Sequence, residues 1–136
     1  MSEPILQIEN VSKTYAARRA LFGRTAEVRA LKDVSISVQK GEIFGLVGES
    51  GSGKTTLTRS ILHLETPSAG RILFEGQDLA HLAEPQMQAI RGRHIAMIFQ
   101  EPMTALDPVF SVGEQIAEAY RTHFPVSRQE ARERAI

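Results

Sequence analysis

A glycine-rich segment that ends in a lysine and a threonine has the residue types and spacing to bind phosphate. Residues 48–55 read Gly-Glu-Ser-Gly-Ser-Gly-Lys-Thr and fit the phosphate-binding loop pattern G-x-x-x-x-G-K-[ST]. The glycines allow successive backbone N–H groups to point into one concavity beside the positive end of a helix. The Lys54 ammonium would reach the β- and γ-phosphates, and the Thr55 hydroxyl would coordinate Mg²⁺. These residues therefore predict a site for a nucleoside triphosphate.

The segments on either side of this phosphate loop (residues 48–55) have the character that such a loop requires. Residues 43–47 read Ile-Phe-Gly-Leu-Val and predict a short buried strand. Residues 56–62 predict the first turns of a helix, with Leu57, Ile61 and Leu64 on one face. The alternative is a merely tight strand-to-helix turn, which does not require a lysine and a threonine after the last glycine.

A second apolar segment, residues 94–99, predicts a strand that is buried on both faces of a parallel sheet. A hydrolysing site of this type carries an acidic residue at the end of such a strand, where it holds Mg²⁺. Here the strand would end at Gln100 and Glu101. Glu101 could substitute for that residue, but a chain that stops before the required strand is the simpler interpretation. The Gln100 amide could bind Mg²⁺ weakly or hold a water near the γ-phosphate, and the alternative is a polar residue that ends a strand.

Composition excludes several classes of protein. The chain has 136 residues, 42% hydrophobic residues, no cysteine and a formal net charge of zero, so a disulfide scaffold and a thiolate metal site are excluded. No apolar stretch approaches the ~20 residues that span a bilayer, and the first residues carry no basic leader region, so we expect a cytoplasmic protein. A small GTPase is also excluded, because Asn10 is the only asparagine and an Asn-Lys-x-Asp element is therefore missing.

Outside the phosphate loop, the pattern predicts an α/β chain. Strands are predicted over 5–11, 31–39 and 71–75, with an irregular insertion over 16–27, and a short helix is predicted over 84–91. Two capping boxes, Ser111 with Glu114 and Ser127 with Glu130, predict helices that run to about Thr122 and through the last residue. A basic stretch between Lys13 and Lys32 predicts either a solvated loop or a region that attracts triphosphate.

Three features taken together resemble the ATP-binding subunit of an ABC transporter. They are Tyr15 some thirty residues before the loop, the loop itself, and the stretch Gln-Glu-Pro-Met-Thr-Ala-Leu-Asp-Pro at 100–108. This last stretch and the insertion that contains Leu-Phe-Gly-Arg-Thr at 21–25 resemble the dipeptide, oligopeptide and nickel importer branch of the family. The resemblance covers the whole chain.

The resemblance implies an α/β fold with a P-loop NTPase core of the ABC ATPase type, an N-terminal antiparallel β-subdomain and the start of a helical subdomain. The fold is expected to be incomplete, with a nucleotide-binding core over 1–105 and a truncated helical subdomain over 106–136. The family's Leu-Ser-Gly-Gly-Gln motif, its Walker B aspartate with the following glutamate, and its switch histidine have no counterpart in residues 1–136. We therefore expect the N-terminal half of such a subunit.

The resemblance also implies roles for individual residues, with ATP and Mg²⁺ as cofactors. Tyr15 would stack on adenine, and Gln100 would sense Mg²⁺ and the γ-phosphate and face the membrane subunit, with Thr55 and Gln100 as the metal ligands. The phosphate contacts are implied for Gly48, Glu49, Ser50, Gly51, Ser52, Gly53, Lys54, Thr55 and Thr56.

The implied function is ATP hydrolysis that drives the import of peptides or similar solutes, on the inner face of the cell membrane. The implied partners are the membrane subunits, a second ATP-binding subunit in a dimer and, indirectly, a solute-binding protein. Two alternatives remain open: a truncated product that binds nucleotide without hydrolysing it, and a DNA-associated ATPase of the ABC type. Zero net charge gives no support to a nucleic-acid partner. The sequence does not identify the solute.

Overall fold

The computed structural model describes residues 3–17 and 26–136. Most of the predicted insertion, residues 18–25, therefore lies outside the described residues. The chain divides into two compact units, Met1–Met87 and Gln88–Ile136. The predicted boundary between residues 105 and 106 stays a prediction.

The first unit is built on a four-stranded antiparallel sheet. Its strands are β1 (Leu6–Ala17), β2 (Ala26–Val38), β3 (Ala69–Phe74) and β4 (Gln77–Asp78), in the spatial order β2-β1-β3-β4. β1 is thus paired on both edges, with β2 on one side and β3 on the other. β1 and β2 are longer than the sequence predicts and continue into the ends of the predicted insertion.

The register of the sheet places branched apolar residues opposite one another. Ile8 of β1 pairs with Ile36 of β2 and with Ile72 of β3. Ile8, Ile72 and Val11 are buried. Cross-strand pairs of this kind are the main source of stability in a sheet. One face of β1 therefore forms the core of the first unit.

Helix α1 (Lys54–Ile61) follows the phosphate loop, and α2 (Glu84–Ile90) ends close to the predicted position. Leu57 and Leu62 are buried, as is Met87 of α2. The prediction that Leu64 shares the buried face is wrong, because the helix ends before it and Leu64 is 48% exposed. His63, with a φ of 52°, turns the chain out of the helical path at that point.

The second unit contains α3 (Val112–His123) and α4 (Arg128–Arg134), and both begin at the predicted serines. Ser127 and Glu130 form the complete capping box, with the Ser127 N–H donating to Glu130 at 3.1 Å. At α3 the Ser111 hydroxyl accepts the Glu114 N–H and itself donates to the Glu114 carboxylate at 3.0 Å. α3 and α4 pack together, and Ala117 and Ala131 are buried. α4 ends at Arg134, so the predicted continuation through the last residue is wrong.

The two predicted parallel strands are not formed. Residues 43–47 and 96–99 pair with no strand of the described chain, and Ile95 makes only an isolated bridge with Arg91. Ile43 and Val47 are 100% and 95% exposed, and Ile98 is 95% exposed. The physical reason is that strand composition cannot create a strand without a neighbouring edge to exchange hydrogen bonds with. The sheet of the described chain, β2-β1-β3-β4, contains neither segment.

Candidate functional site

The phosphate loop lies between exposed residues 43–47 and the first turn of α1. Within the loop, the Ser52 N–H donates to the Glu49 carbonyl at 3.2 Å, which closes a turn. Gly53 then has a φ of 92°, a left-handed conformation that favours glycine, and it is the residue that precedes α1. A Cβ added at Gly53 would collide with the backbone carbonyl oxygen of Ala30, and it would approach the Leu31 side chain at 2.9 Å. The loop is therefore seated against β2 through a contact that leaves no room for a side chain.

The Lys54 ammonium lies at the centre of the loop. Its Nζ donates to the carbonyl oxygens of Gly48 and Glu49, at 2.6 Å each, and to the Ser52 hydroxyl at 3.1 Å. A lysine ammonium has three donors, so these three acceptors fully satisfy it. The structure thus brings together Lys54, Gly48, Glu49 and Ser52 around one positive charge.

The geometry of the loop fits a bound phosphate. A Cβ at Gly48 would lie 2.7 Å from Ser52 Oγ and 3.8 Å from Lys54 Nζ, so a side chain at position 48 would crowd the groups around the ammonium. No side chain caps α1, and its first turn holds no acidic residue. The leading N–H groups of a helix have no intrahelical acceptor, and together with the ammonium they can bind an anion.

The remaining predicted loop residues are placed as follows. Ser50, Gly51 and Thr55 are exposed, and the Thr55 hydroxyl belongs to the second residue of α1. Thr56 is half-buried, and its carbonyl accepts the Ser60 hydroxyl at 2.8 Å. In residues 3–17 and 26–136 no three His, Cys, Asp or Glu side chains are grouped so that they could hold a metal ion. A Mg²⁺ ion bound through Thr55 would therefore depend on phosphate oxygens and water for most of its ligands, which is usual for this ion.

Tyr15 lies on β1, paired with Val28 of β2, and is half-buried. One face of its ring is occupied by the Lys13 ammonium, whose Nζ lies 5.0 Å from the ring centroid. The sequence identifies Lys13 only as the start of a basic stretch, and its contact with Tyr15 was not predicted. The period of a strand places residues two apart on the same face, so this neighbour could have been found once β1 was extended to Tyr15.

Gln100 lies in the second unit, at an exposed bend, while Tyr15 and the phosphate loop belong to the first unit. Glu101 is also exposed. The predicted role of Gln100 beside the nucleotide stays a prediction.

In the described part of the chain, no helix combines the length and apolar character needed to cross a bilayer. The longest, α3, has 12 residues.

Comparison with known sequences gives one family. A family profile described as ABC transporter matches residues 31–136. The chain is 48% identical over 120 residues to the probable peptide ABC transporter ATP-binding protein y4tR of Sinorhizobium fredii, covering 85% of the chain and 36% of that protein. It is 40% identical over 139 residues to the dipeptide transport ATP-binding protein DppD of Bacillus subtilis, covering 98% of the chain and 40% of that protein. The chain thus spans about two fifths or less of the length of these relatives.

Comparison with solved structures gives the same fold. The dimeric structure of MJ0796, a bacterial ABC transporter cassette, matches with a TM-score of 0.80 and 27% identity, covering 95% of this chain and 53% of that one. A post-hydrolysis state of MJ0796 bound to ADP and Pi matches with a TM-score of 0.79 and 26% identity, covering 96% and 53%. These likenesses confirm the predicted fold class: an incomplete α/β P-loop core of the ABC ATPase type, with an N-terminal antiparallel sheet and the start of a helical part.

Proposed function

Because this chain belongs to the ABC transporter family, we propose that it is the N-terminal part of an ATP-binding subunit that hydrolyses ATP to drive the import of peptides or similar solutes. The observation that carries the nucleotide site is the Lys54 ammonium, held by Gly48, Glu49 and Ser52 at the start of an uncapped helix. The peptide branch is supported by two relatives, which are named as a probable peptide ABC transporter ATP-binding protein and a dipeptide transport ATP-binding protein.

In this proposal the backbone N–H groups of residues 48–56 and the Lys54 ammonium hold the phosphates of ATP, and the ammonium exchanges one of its acceptors in the loop for a phosphate oxygen. The Thr55 hydroxyl binds Mg²⁺, which supplies neutralisation of phosphate charge when present, and Gln100 is its second protein ligand and positions water near the γ-phosphate. Tyr15 stacks on the adenine ring. The exposed Thr55 hydroxyl and the open first turn of α1 support the phosphate and metal assignments.

The proposed assembly places the subunit on the inner, cytoplasmic face of the cell membrane. There it would pair with a second ATP-binding subunit and contact the membrane subunits, and a solute-binding protein would act through them. The support for pairing is the dimeric form of the matching cassette MJ0796.

The test is calorimetric titration of the chain with Mg-ATP, comparing wild type with Lys54→Ala. Charge-assisted contacts contribute roughly 1.5–3 kcal/mol each, and Lys54 is the positive charge at the loop centre, so the variant should lose measurable affinity. Lys40→Ala, which removes an exposed charge from the turn after β2, is the matched control and should bind as wild type does. Equal affinities for wild type and Lys54→Ala would show that the loop does not bind phosphate.

A second candidate is that the 136-residue polypeptide binds ATP and does not hydrolyse it. The observation in its favour is that the sequence of residues 1–136 contains neither a Leu-Ser-Gly-Gly-Gln segment nor an aspartate followed by a glutamate. Hydrolysis needs an oriented water and charge stabilisation at the transferring phosphoryl group. We expect phosphate release by the purified chain to equal that of Lys54→Ala. Turnover that disappears in the variant would refute this second candidate.

A further inference from the structure

Lys13 and Tyr15 lie two residues apart on β1. The Lys13 Nζ is 5.0 Å from the centroid of the Tyr15 ring, within the ~6 Å over which a cation is attracted to an aromatic face. The ammonium therefore covers one face of the ring and excludes any other group from stacking on that face.

The position of Lys13 is set by groups outside β1. Its Nζ donates to the Thr66 carbonyl at 2.7 Å and lies 3.7 Å from the Glu65 carboxylate, both in the connection that follows α1. The Lys13 side chain is only 15% exposed. Two anchors on a mostly buried stem hold the ammonium in place, so Tyr15 is backed by a fixed charge rather than by a mobile surface lysine.

We propose that Lys13 is a positioning residue for the nucleotide base, acting through Tyr15. It closes one face of the ring, so the base must stack on the opposite face, and its charge draws ring electron density toward itself. The ring then offers an electron-poor face to the base, which favours an electron-rich aromatic such as the amino-substituted purine of adenine. This inference rests on the proposed function, since it presupposes that Tyr15 meets the base of a bound nucleotide.

The proposed role of Lys13 predicts different effects on the affinity for ligands that carry a base and for ligands that do not. Loss of the Lys13 charge should weaken ATP and ADP and leave inorganic tripolyphosphate unaffected, because tripolyphosphate contacts only the phosphate loop. A cation over a ring contributes on the order of 1 kcal/mol, which corresponds to about a fivefold change in affinity. A purely structural role for Lys13 would weaken all three ligands together.

The experiment measures Mg²⁺-dependent binding of ATP, ADP and tripolyphosphate to the whole chain. Lys13→Met should raise the Kd for ATP and ADP about fivefold without changing the Kd for tripolyphosphate, and Lys13→Arg should restore base binding because a guanidinium also packs over a ring. Glu65→Gln loosens the anchor without touching Tyr15, and it should give a smaller loss of the same kind. Lys40→Met, which removes an exposed charge from the turn after β2, is the control for charge alone and should leave the ratio of ATP to tripolyphosphate affinity unchanged.

The decisive comparison repeats Lys13→Met in a Tyr15→Leu background. There it should leave the ratio of ATP to tripolyphosphate affinity unchanged, because the ring through which Lys13 acts is gone. Two outcomes overturn this inference and leave the proposed function standing. One is an unchanged ratio of ATP to tripolyphosphate affinity for both Lys13→Met and Glu65→Gln in the otherwise wild-type chain. The other is a change in that ratio caused by Lys13→Met that is still present in the Tyr15→Leu background. A wild-type chain that binds ATP no better than Lys54→Ala overturns the proposed function, and the inference with it.

Discussion

At the scale of single residues, the phosphate loop is assembled by its own contacts. Every donor of the Lys54 ammonium has an acceptor within the loop, and Gly53 is in van der Waals range of β2 through its backbone alone. The loop therefore keeps its shape without a bound ligand. Substitutions of its glycines are expected to disturb that shape most.

Substituting Gly53 with alanine should destabilise the chain more than the same change at Gly51. Both glycines have positive φ, 92° for Gly53 and 80° for Gly51, so alanine at either position should lower the free energy of unfolding by about 1 kcal/mol. A Cβ at Gly53 would also collide with the Ala30 carbonyl, whereas a Cβ at Gly51 meets nothing within 4 Å, so Gly53→Ala should cost about 1–3 kcal/mol more. Urea unfolding measures both. Equal losses would contradict the close approach of the loop to β2.

Replacing Tyr15 with alanine should weaken ATP and ADP to the same extent, while Tyr15→Phe should be tolerated. Stacking uses the ring face and not the hydroxyl, and base stacking on an aromatic side chain contributes ~1–3 kcal/mol. Titration of both variants with each nucleotide is the measurement. If Tyr15→Ala binds ATP as wild type does, the ring only packs in the sheet and the base contacts another residue.

At the scale of secondary structure, the helix starts of the second unit depend on carboxylates. The Glu130 carboxylate accepts the Ser127 N–H and hydroxyl, and these hydrogen bonds lower the pKa of Glu130 from its ordinary value of 4.5. The Ser111 hydroxyl and N–H likewise lower the pKa of Glu114. A carboxylate whose pKa is lowered by folding stabilises the folded state above its unfolded pKa, and that contribution is lost as the pH falls through the folded pKa.

Acidification should therefore reduce the helicity of α4 in the wild-type chain more than in Glu130→Gln. The glutamine keeps an oxygen for the Ser127 N–H but carries no titrating charge. The variant should therefore be less stable than wild type near neutral pH, and the two stabilities should converge as the pH falls through the lowered pKa of folded Glu130. Circular dichroism against pH measures this. Glu133→Gln removes a carboxylate from the same helix that accepts from the Gln129 side chain and not from a helix cap, and it should keep the wild-type profile. Parallel profiles for wild type and Glu130→Gln would exclude the capping contribution.

The helix starts and the phosphate loop were predicted well because their sequence patterns are local. The two parallel strands were predicted wrongly because a strand depends on a partner that is distant in the sequence. Ser127 and Glu130 specify a helix start within four residues, and the glycine loop likewise carries its own geometry. Residues 43–47 and 94–99 have strand composition, but a parallel strand exists only when another strand lies beside it, and composition does not report that. The contact of Lys13 with Tyr15 was not predicted for a related reason, since the groups that anchor Lys13, at Glu65 and Thr66, lie far along the chain.

At the scale of the whole molecule, apolar side chains in the two segments predicted to be buried strands, residues 43–47 and 94–99, are exposed. Ile43 is 100% exposed and Ile98 is 95% exposed. Extended apolar segments with unpaired backbone groups promote edge-to-edge association. The chain in isolation should therefore aggregate at concentrations at which a fully covered α/β protein stays monomeric.

Charged substitutions at these positions should improve solubility without lowering stability. Ile43→Lys and Ile98→Lys place a charge where the side chain already meets water. Light scattering should therefore fall, while the free energy of unfolding measured in urea should stay within about 0.5 kcal/mol of wild type, the usual range for surface substitutions. Ile8→Lys is the control, because Ile8 is 3% exposed and burying a lysine there should prevent folding. A large stability loss at Ile43 would show that this side chain is buried in solution.

The central position of β1 in the sheet has a consequence for the order of folding. Leu6 pairs with Val38 of β2 on one edge and with Phe74 of β3 on the other, so the segment from residue 39 to residue 68, which contains the phosphate loop and α1, leaves one edge of β1 and returns to the opposite edge. β1 and β2 can pair as soon as both are synthesised, but the second edge stays open until β3 has emerged. Closing that long segment is the slow, entropically costly step. The sheet is thus complete only when β3 docks, and a newly made chain passes through a stage in which β1 and β2 are paired while the second edge of β1 is still open.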